Sequence, residues 1–241
     1  MATESRMTVG GVSVAVMRKP IRSLRFAVQP PDGAVRVSVP LDVSDDVVRL
    51  AIIDKLSWIK RQRATFAAQP RQSPRAMVTG ETHYVFGRAC RLRFIEENGP
   101  VRIGLPRKGE IVVRARAGLT REQRERAMQA WYRQRLKELV PDLVARWESL
   151  LGVKASAVGI KRMKTRWGTC NTRARRIWLN LELAKKPQRC LEYIVAHELV
   201  HLVERTHSDR FIALLDHHMP RWKSYRAELN VAPLAHETWE L

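Results

Sequence analysis

The chain has 241 residues, 45% of them hydrophobic, with 44 Lys and Arg against 24 Asp and Glu. That is enough apolar material for one large domain or two small ones, and a net charge of +20 favours polyanionic surroundings without naming one. No stretch reaches the ~18 uninterrupted apolar residues of a membrane span, and the opening residues lack a secretory leader's basic start and apolar run. Cys90, Cys170 and Cys190 are odd in number and show no paired spacing, which argues against a disulfide framework. The expectation is a soluble, cytoplasmic protein.

In the first forty residues "VSVAVMR", "IRSLRFAVQ" and "GAVRVSV" alternate apolar and polar positions, with "QPPDG" as a turn, and predict a small antiparallel sheet. Next comes "DVSDDVVRLAIIDKLSWIKRQRATFAA", acidic at its start and basic toward its end, which predicts a capped amphipathic helix. After a break at "QPRQSP", four more strand-like runs follow: "THYVFG", "CRLRFIE", "VRIGL" and "EIVVRAR". From Thr120 the pattern turns helical, with a bend or division expected at Pro141. Two strand-like runs, "SAVGIKRMK" and "RRIWLNLEL", flank "TRWGTCNTRA" and lead into a histidine-bearing helix with further helical segments from Ser208. No sequence repeat is visible. The fold expected is α+β: a β-rich region with one helix over 1–117, then a module of helix, antiparallel strands, helix and C-terminal helices over 118–241.

The chemistry concentrates in "EYIVAHELVHLVERTHSDRF". His197 and His201 are four apart, so an α-helix sets both imidazoles on one face, one turn apart, as a shared zinc ion requires. Glu198 sits on the neighbouring face, where it can act as general base on a metal-bound water without being a ligand. The competing reading is a pair of core or capping histidines. Against it stands His207, six residues on, which a helix break near Arg205 and Thr206 would return as a third ligand, leaving a fourth position open. Glu228 from a later helix is the alternative third ligand. Cys190 shares the helical face but lies ~10 Å away in rise and reads as a core thiol. His217 and His218 suit surface or supporting roles.

The stretch from Lys161 to Phe211 resembles the YgjP-like family of zinc metallopeptidases, related to SprT and WLM-type zincins. The matching residues are Arg166, Trp167, Gly168 and Cys170, with Thr169 in place of the usual serine, then Asn180, Leu181, His197, Glu198, His201, His207, Ser208, Arg210 and Phe211. The upstream half, with "DGAVRVSVP" and "GETHYVFGRACRLRF", is also similar. The resemblance implies a zincin-like fold, zinc as the cofactor, and His207 as third ligand.

On the substrate side, "RRIWLNLEL" is the expected edge strand for an extended peptide, with Trp178 and Asn180 facing away from the helix. Lys164, Arg166 and Trp167 combine charge and an aromatic ring that could clamp an anionic group. The densest basic stretch, Lys161 to Arg189, has ten basic residues and one acid, Glu182, and is a candidate surface for nucleic acid or a nucleotide. Three activities compete. The first is a zinc-dependent peptidase acting on a protein or peptide through a Glu198-activated water. The others are a zinc-dependent hydrolase of nucleotide phosphoanhydrides and a nucleic-acid-associated protein with a non-catalytic metal site.

Overall fold

The computed structural model of the chain describes residues 3–29, 33–68, 76–107, 109–163 and 166–231. They fall into two compact units, Met1–Arg71 and Gln72–His236. In the first, alternation produces β1 (Thr3–Val9), β2 (Val12–Arg18), β3 (Arg25–Gln29) and β4 (Ala34–Val39). The strand order is β1-β2-β4-β3. The sheet is mixed where an antiparallel one was expected: two hairpins lie side by side, so β2 and β4 meet in parallel. Alternation reports which face of a strand is buried and is silent on the direction of its neighbour. Val14, Val16, Val35, Val37 and Val39 form the buried face, and α1 (Asp45–Ala68) covers it with Val48, Ile52 and Ile59. The β1–β2 turn needs glycine at Gly10, where φ is +55° and an added Cβ would lie 2.5 Å from Leu56.

The second unit opens on the same plan. β5 (Thr82–Val85), β6 (Arg88–Glu96), β7 (Arg102–Gly104) and β8 (Glu110–Ala115) run in the order β5-β6-β8-β7, again with a parallel central pair, and a helix follows. The topology repeats although the sequence does not. That helix, α2 (Arg121–Leu151), begins at a capping box in which Thr120 and Gln123 satisfy each other's backbone N–H groups. It continues through Pro141 without the expected division; buried Leu136, Val140 and Trp147 hold both sides of the missing hydrogen bond. The boundary read from composition near 118 lies inside this unit, because Val85, Leu92, Ile111 and Val113 share one core with Met128, Tyr132 and Leu136. Tyr132 Oη also donates to the Tyr84 carbonyl at 2.8 Å.

Beyond α2 lie β9 (Ala157–Lys161), β10 (Gly168–Asn171) and β11 (Arg176–Asn180), then a 3-10 turn at Leu181–Lys185. Three helices complete the unit: α3 (Gln188–Val200), α4 (Asp209–His218) and α5 (Trp222–Val231). The fold is α+β as expected, with two differences. The segment read as a connector contains β10, and the sheet order β10-β11-β9 is mixed, with β9 and β11 parallel. Among the described residues no helix is long and apolar enough to cross a membrane.

Candidate metal centre

Helix α3 is buried on nearly every side by Leu191, Ile194, Val195, Leu199 and Val200. His197 and His201 lie one turn apart with ring centroids at 4.9 Å. The helix closes at Val200 with His201 as its cap, earlier than the break expected at 205–206. The turn is tied by Leu202 N–H to the Leu199 carbonyl and by Glu204 N–H to the Val200 carbonyl. His201 Nδ1 meets the Glu204 carbonyl at 3.3 Å, and the Glu204 carboxylate accepts from Thr206 N–H and Oγ1. Ser208 then caps α4, its Oγ accepting from Phe211 N–H at 3.4 Å. His207, immediately before that cap, is thereby set 5.0 Å from the His197 ring and 4.8 Å from the His201 ring. Beneath all three lies buried Phe211, with centroids 4.7–5.0 Å from each imidazole.

These residues fit a divalent cation. One ligand atom from each of His197, His201 and His207 lies within 4.8 Å of the others, and the two Nε2 atoms of His197 and His207 are 3.1 Å apart. Burial, reinforced by the neighbouring histidines, pushes the His197 pKa down to about 3, and burial also lowers that of His201, so both present neutral lone pairs. His197 Nδ1 is buried without a hydrogen-bond partner among the described residues. An all-imidazole set of three suits zinc with an open fourth position.

The other candidates lie elsewhere. Glu228 engages the Arg189 guanidinium in a two-pronged ion pair at the opposite end of α3. Cys190 is fully buried, and burial pushes its thiol up to about 12. His218 sits edge-on to Trp147 at the end of α4, with His217 exposed beside it.

Glu198 is 5% exposed, and burial raises its pKa to about 8 against the pull of the Arg166 charge. The start of β10 runs directly against it: a Cβ on Gly168 would lie 2.5 Å from Glu198 Oε1. Glycine is therefore required there to leave the carboxylate its place. Cys170, two residues along β10, stays a thiol, pushed up to about 11 by burial and by the Glu198 charge.

The expected substrate residues separate. Asn180 is fully buried and acts as a latch: its Nδ2 donates to the carbonyls of Met163 and Arg166, and its Oδ1 accepts from Met163 N–H and Glu182 N–H. Trp178 packs over Gly159, with Lys161 Nζ 4.8 Å from its ring, on the face opposite buried Ile177 and Leu179. Trp167 is half-buried under Lys186, whose Nζ lies 5.4 Å from the ring. Lys164 lies outside the described residues. Strand β11 is the central strand, paired on both sides, so it offers no free edge; the outer strands of this sheet are β10 and β9.

The basic stretch is largely engaged within the fold. Besides Lys161, Lys186 and Arg189, Arg162 faces Glu125, Arg175 Nε donates to the Lys154 carbonyl, and Lys185 pairs with Glu182.

A profile of the YgjP-like metallopeptidase domain matches residues 22–232. The chain belongs to this family. No curated protein matches the chain significantly. Among solved structures it is similar to the metallopeptidase zymogen abylysin of Pyrococcus abyssi, at 25% identity and a TM-score of 0.36 over 38% of this chain and 91% of that one. It is also similar to the zymogen jannalysin of Methanocaldococcus jannaschii, at 21% identity and 0.34 over 37% and 92%. Likenesses this partial transfer no detail to the site.

The sequence reading passed over two residues beside the triad. Tyr193, one turn before His197 on α3, lies with its ring 5.8 Å from the His197 ring and stacks on Trp222 of α5 at 6.1 Å. Arg226, one turn beyond Trp222, acts electrostatically on both Tyr193 and His197. Tyr193 could have been read from its four-residue spacing, whereas Arg226 depends on how α5 packs.

Proposed function

We propose that this YgjP-like metallopeptidase is a zinc enzyme that uses Glu198 as general base and cleaves peptide bonds in extended chains paired along the outer edge of β10. The observation that carries the reading is the closeness of Glu198 to both the three-histidine cluster and β10. A zinc ion held by His197, His201 and His207 would polarise the scissile carbonyl and acidify a neighbouring water. Glu198 takes the proton of the attacking water at a carboxylate oxygen and passes it to the nitrogen of the departing amine. Gly168 keeps the space before Oε1 open, and the free edge of β10 offers backbone N–H and C=O groups to a substrate strand.

The three cysteines are free, which fits a reducing, cytoplasmic setting. The test is a panel of metal-free protein, zinc-loaded protein and zinc-loaded Glu198→Gln, assayed on unstructured peptides, nucleoside triphosphates and duplex DNA. Zinc-dependent peptide cleavage absent from Glu198→Gln is the expected result. Phosphate release without peptide cleavage would transfer the reading to a phosphoanhydride hydrolase, and DNA binding without hydrolysis to a nucleic-acid partner.

A further inference from the structure

We infer that the site selects acidic peptides, through Arg166 just before β10 and Arg226 on α5, two elements that both pack against α3. The inference rests on the peptidase reading above and names its substrate class. Arg166 is placed by two hydrogen bonds that are independent of its own side chain. Asn180 Nδ2 holds its carbonyl at 2.7 Å, and Asn180 N–H holds the next carbonyl, that of Trp167, at 2.9 Å. Two residues later the backbone at Gly168 abuts the Glu198 carboxylate. Arg166 is therefore anchored at the entrance to β10, two residues before the glycine that abuts the Glu198 carboxylate.

Arg226 is placed by a different element. The stack of Trp222 on Tyr193, with planes 17° apart, fixes α5 against α3 beside His197. Arg226 lies one turn further along α5, on the face that Trp222 turns toward Tyr193. Both arginines are exposed, and neither has an ion-pair partner among the described residues. They differ in this from the cations engaged within the fold, such as Arg189 with Glu228 and Lys185 with Glu182. Two exposed guanidinium groups with no ion-pair partner among the described residues, carried by separate elements packed on the helix that bears His197 and His201, favour carboxylates on a bound peptide.

The test uses labelled decapeptides with glutamate, glutamine or lysine flanking a single Ala-Ala bond. Binding is read by fluorescence anisotropy on Glu198→Gln protein, and cleavage on the zinc-loaded wild type. The glutamate peptide is expected to bind about tenfold more tightly than the glutamine one, with a preference that fades as salt is raised. R166Q and R226Q should each reduce that preference and the double variant abolish it, while the glutamine peptide binds as before. Equal affinity for the glutamate and glutamine peptides, or a preference that survives in the double variant, would overturn the inference. So would tight binding of duplex DNA that is lost in the double variant while the peptides go undistinguished. Acid preference in binding with no cleavage of any peptide would sink the peptidase reading and leave the charge selection standing. Cleavage without preference would do the reverse.

Discussion

The two units begin alike and end differently. Each sets two hairpins side by side around a parallel central pair and follows them with a helix. In the first unit the plan stops there: α1 buries Val48, Ile52 and Ile59 on its sheet and leaves Val47, Leu50 and Ile53 exposed. In the second, α2 runs on, and its later residues Val140 and Trp147 join the core of α3 and α4, which carries the histidines. The proposed chemistry thus belongs to what the second copy of the sheet-and-helix plan carries after it. Every residue of the proposed mechanism lies beyond α2.

The largest expected effect falls on that appended part. Glu198→Gln should keep zinc uptake and both cores yet lose about 10³- to 10⁴-fold in turnover, read by steady-state kinetics beside metal analysis. Retained turnover would mean that the buried carboxylate is structural.

A paired truncation sharpens the division between the units. Phe211→Ala removes the floor under three imidazoles and should cost about 3–5 kcal/mol while weakening zinc binding. Ile52→Ala in the first core should cost about 2–5 kcal/mol and leave zinc binding unchanged. Denaturant unfolding with metal titration reads both, and equal losses of zinc affinity would erase the distinction drawn between the units.

A smaller effect is expected at Gly168. Gly168→Ala should displace the Glu198 carboxylate and cost about 1–3 kcal/mol by overpacking, with turnover falling at unchanged zinc content.

A remaining effect concerns pH. Lys186 is buried, and burial pushes its pKa down to about 8 from 10.5, against the attraction of Glu182 and with Lys185 adding to the depression. Between those values the unfolded chain binds the proton and the folded one does not, so this group raises stability as pH climbs through the window. Below it, the full penalty of a buried charge is present. Lys186→Met should be the more stable protein at pH 7, with a flatter rise toward pH 10 in denaturant titrations.

What the sequence made legible follows from local geometry. Helical spacing alone places His197 and His201 together and Glu198 on the neighbouring face, and a helix break was expected to return His207, although α3 ends at Val200 rather than near 205 and the cap at Ser208 appears only in the structure. Strand faces were legible for the same reason, since alternation has a fixed period of two. Strand direction was not, because it depends on which hairpin lies beside which. Strand β10 was hidden in a four-residue run bounded by a glycine and an asparagine, where turn chemistry masks pairing. Asn180 looked like a substrate contact because a polar residue on a strand's outer face has no visible partner until Met163 and Arg166 are brought against it. Arg226 required the packing of α5 on α3, a long-range contact with no sequence signature.

The central claim is that His207 completes a three-imidazole zinc site with His197 and His201. X-ray absorption at the zinc edge on stoichiometrically loaded protein tests it most directly. The account predicts one zinc per chain, with three imidazole nitrogens at about 2.0–2.1 Å that fall to two in His207→Ala and remain three in Glu228→Gln. No zinc uptake, or a site that loses a ligand in Glu228→Gln and keeps its full set in His207→Ala, would contradict it.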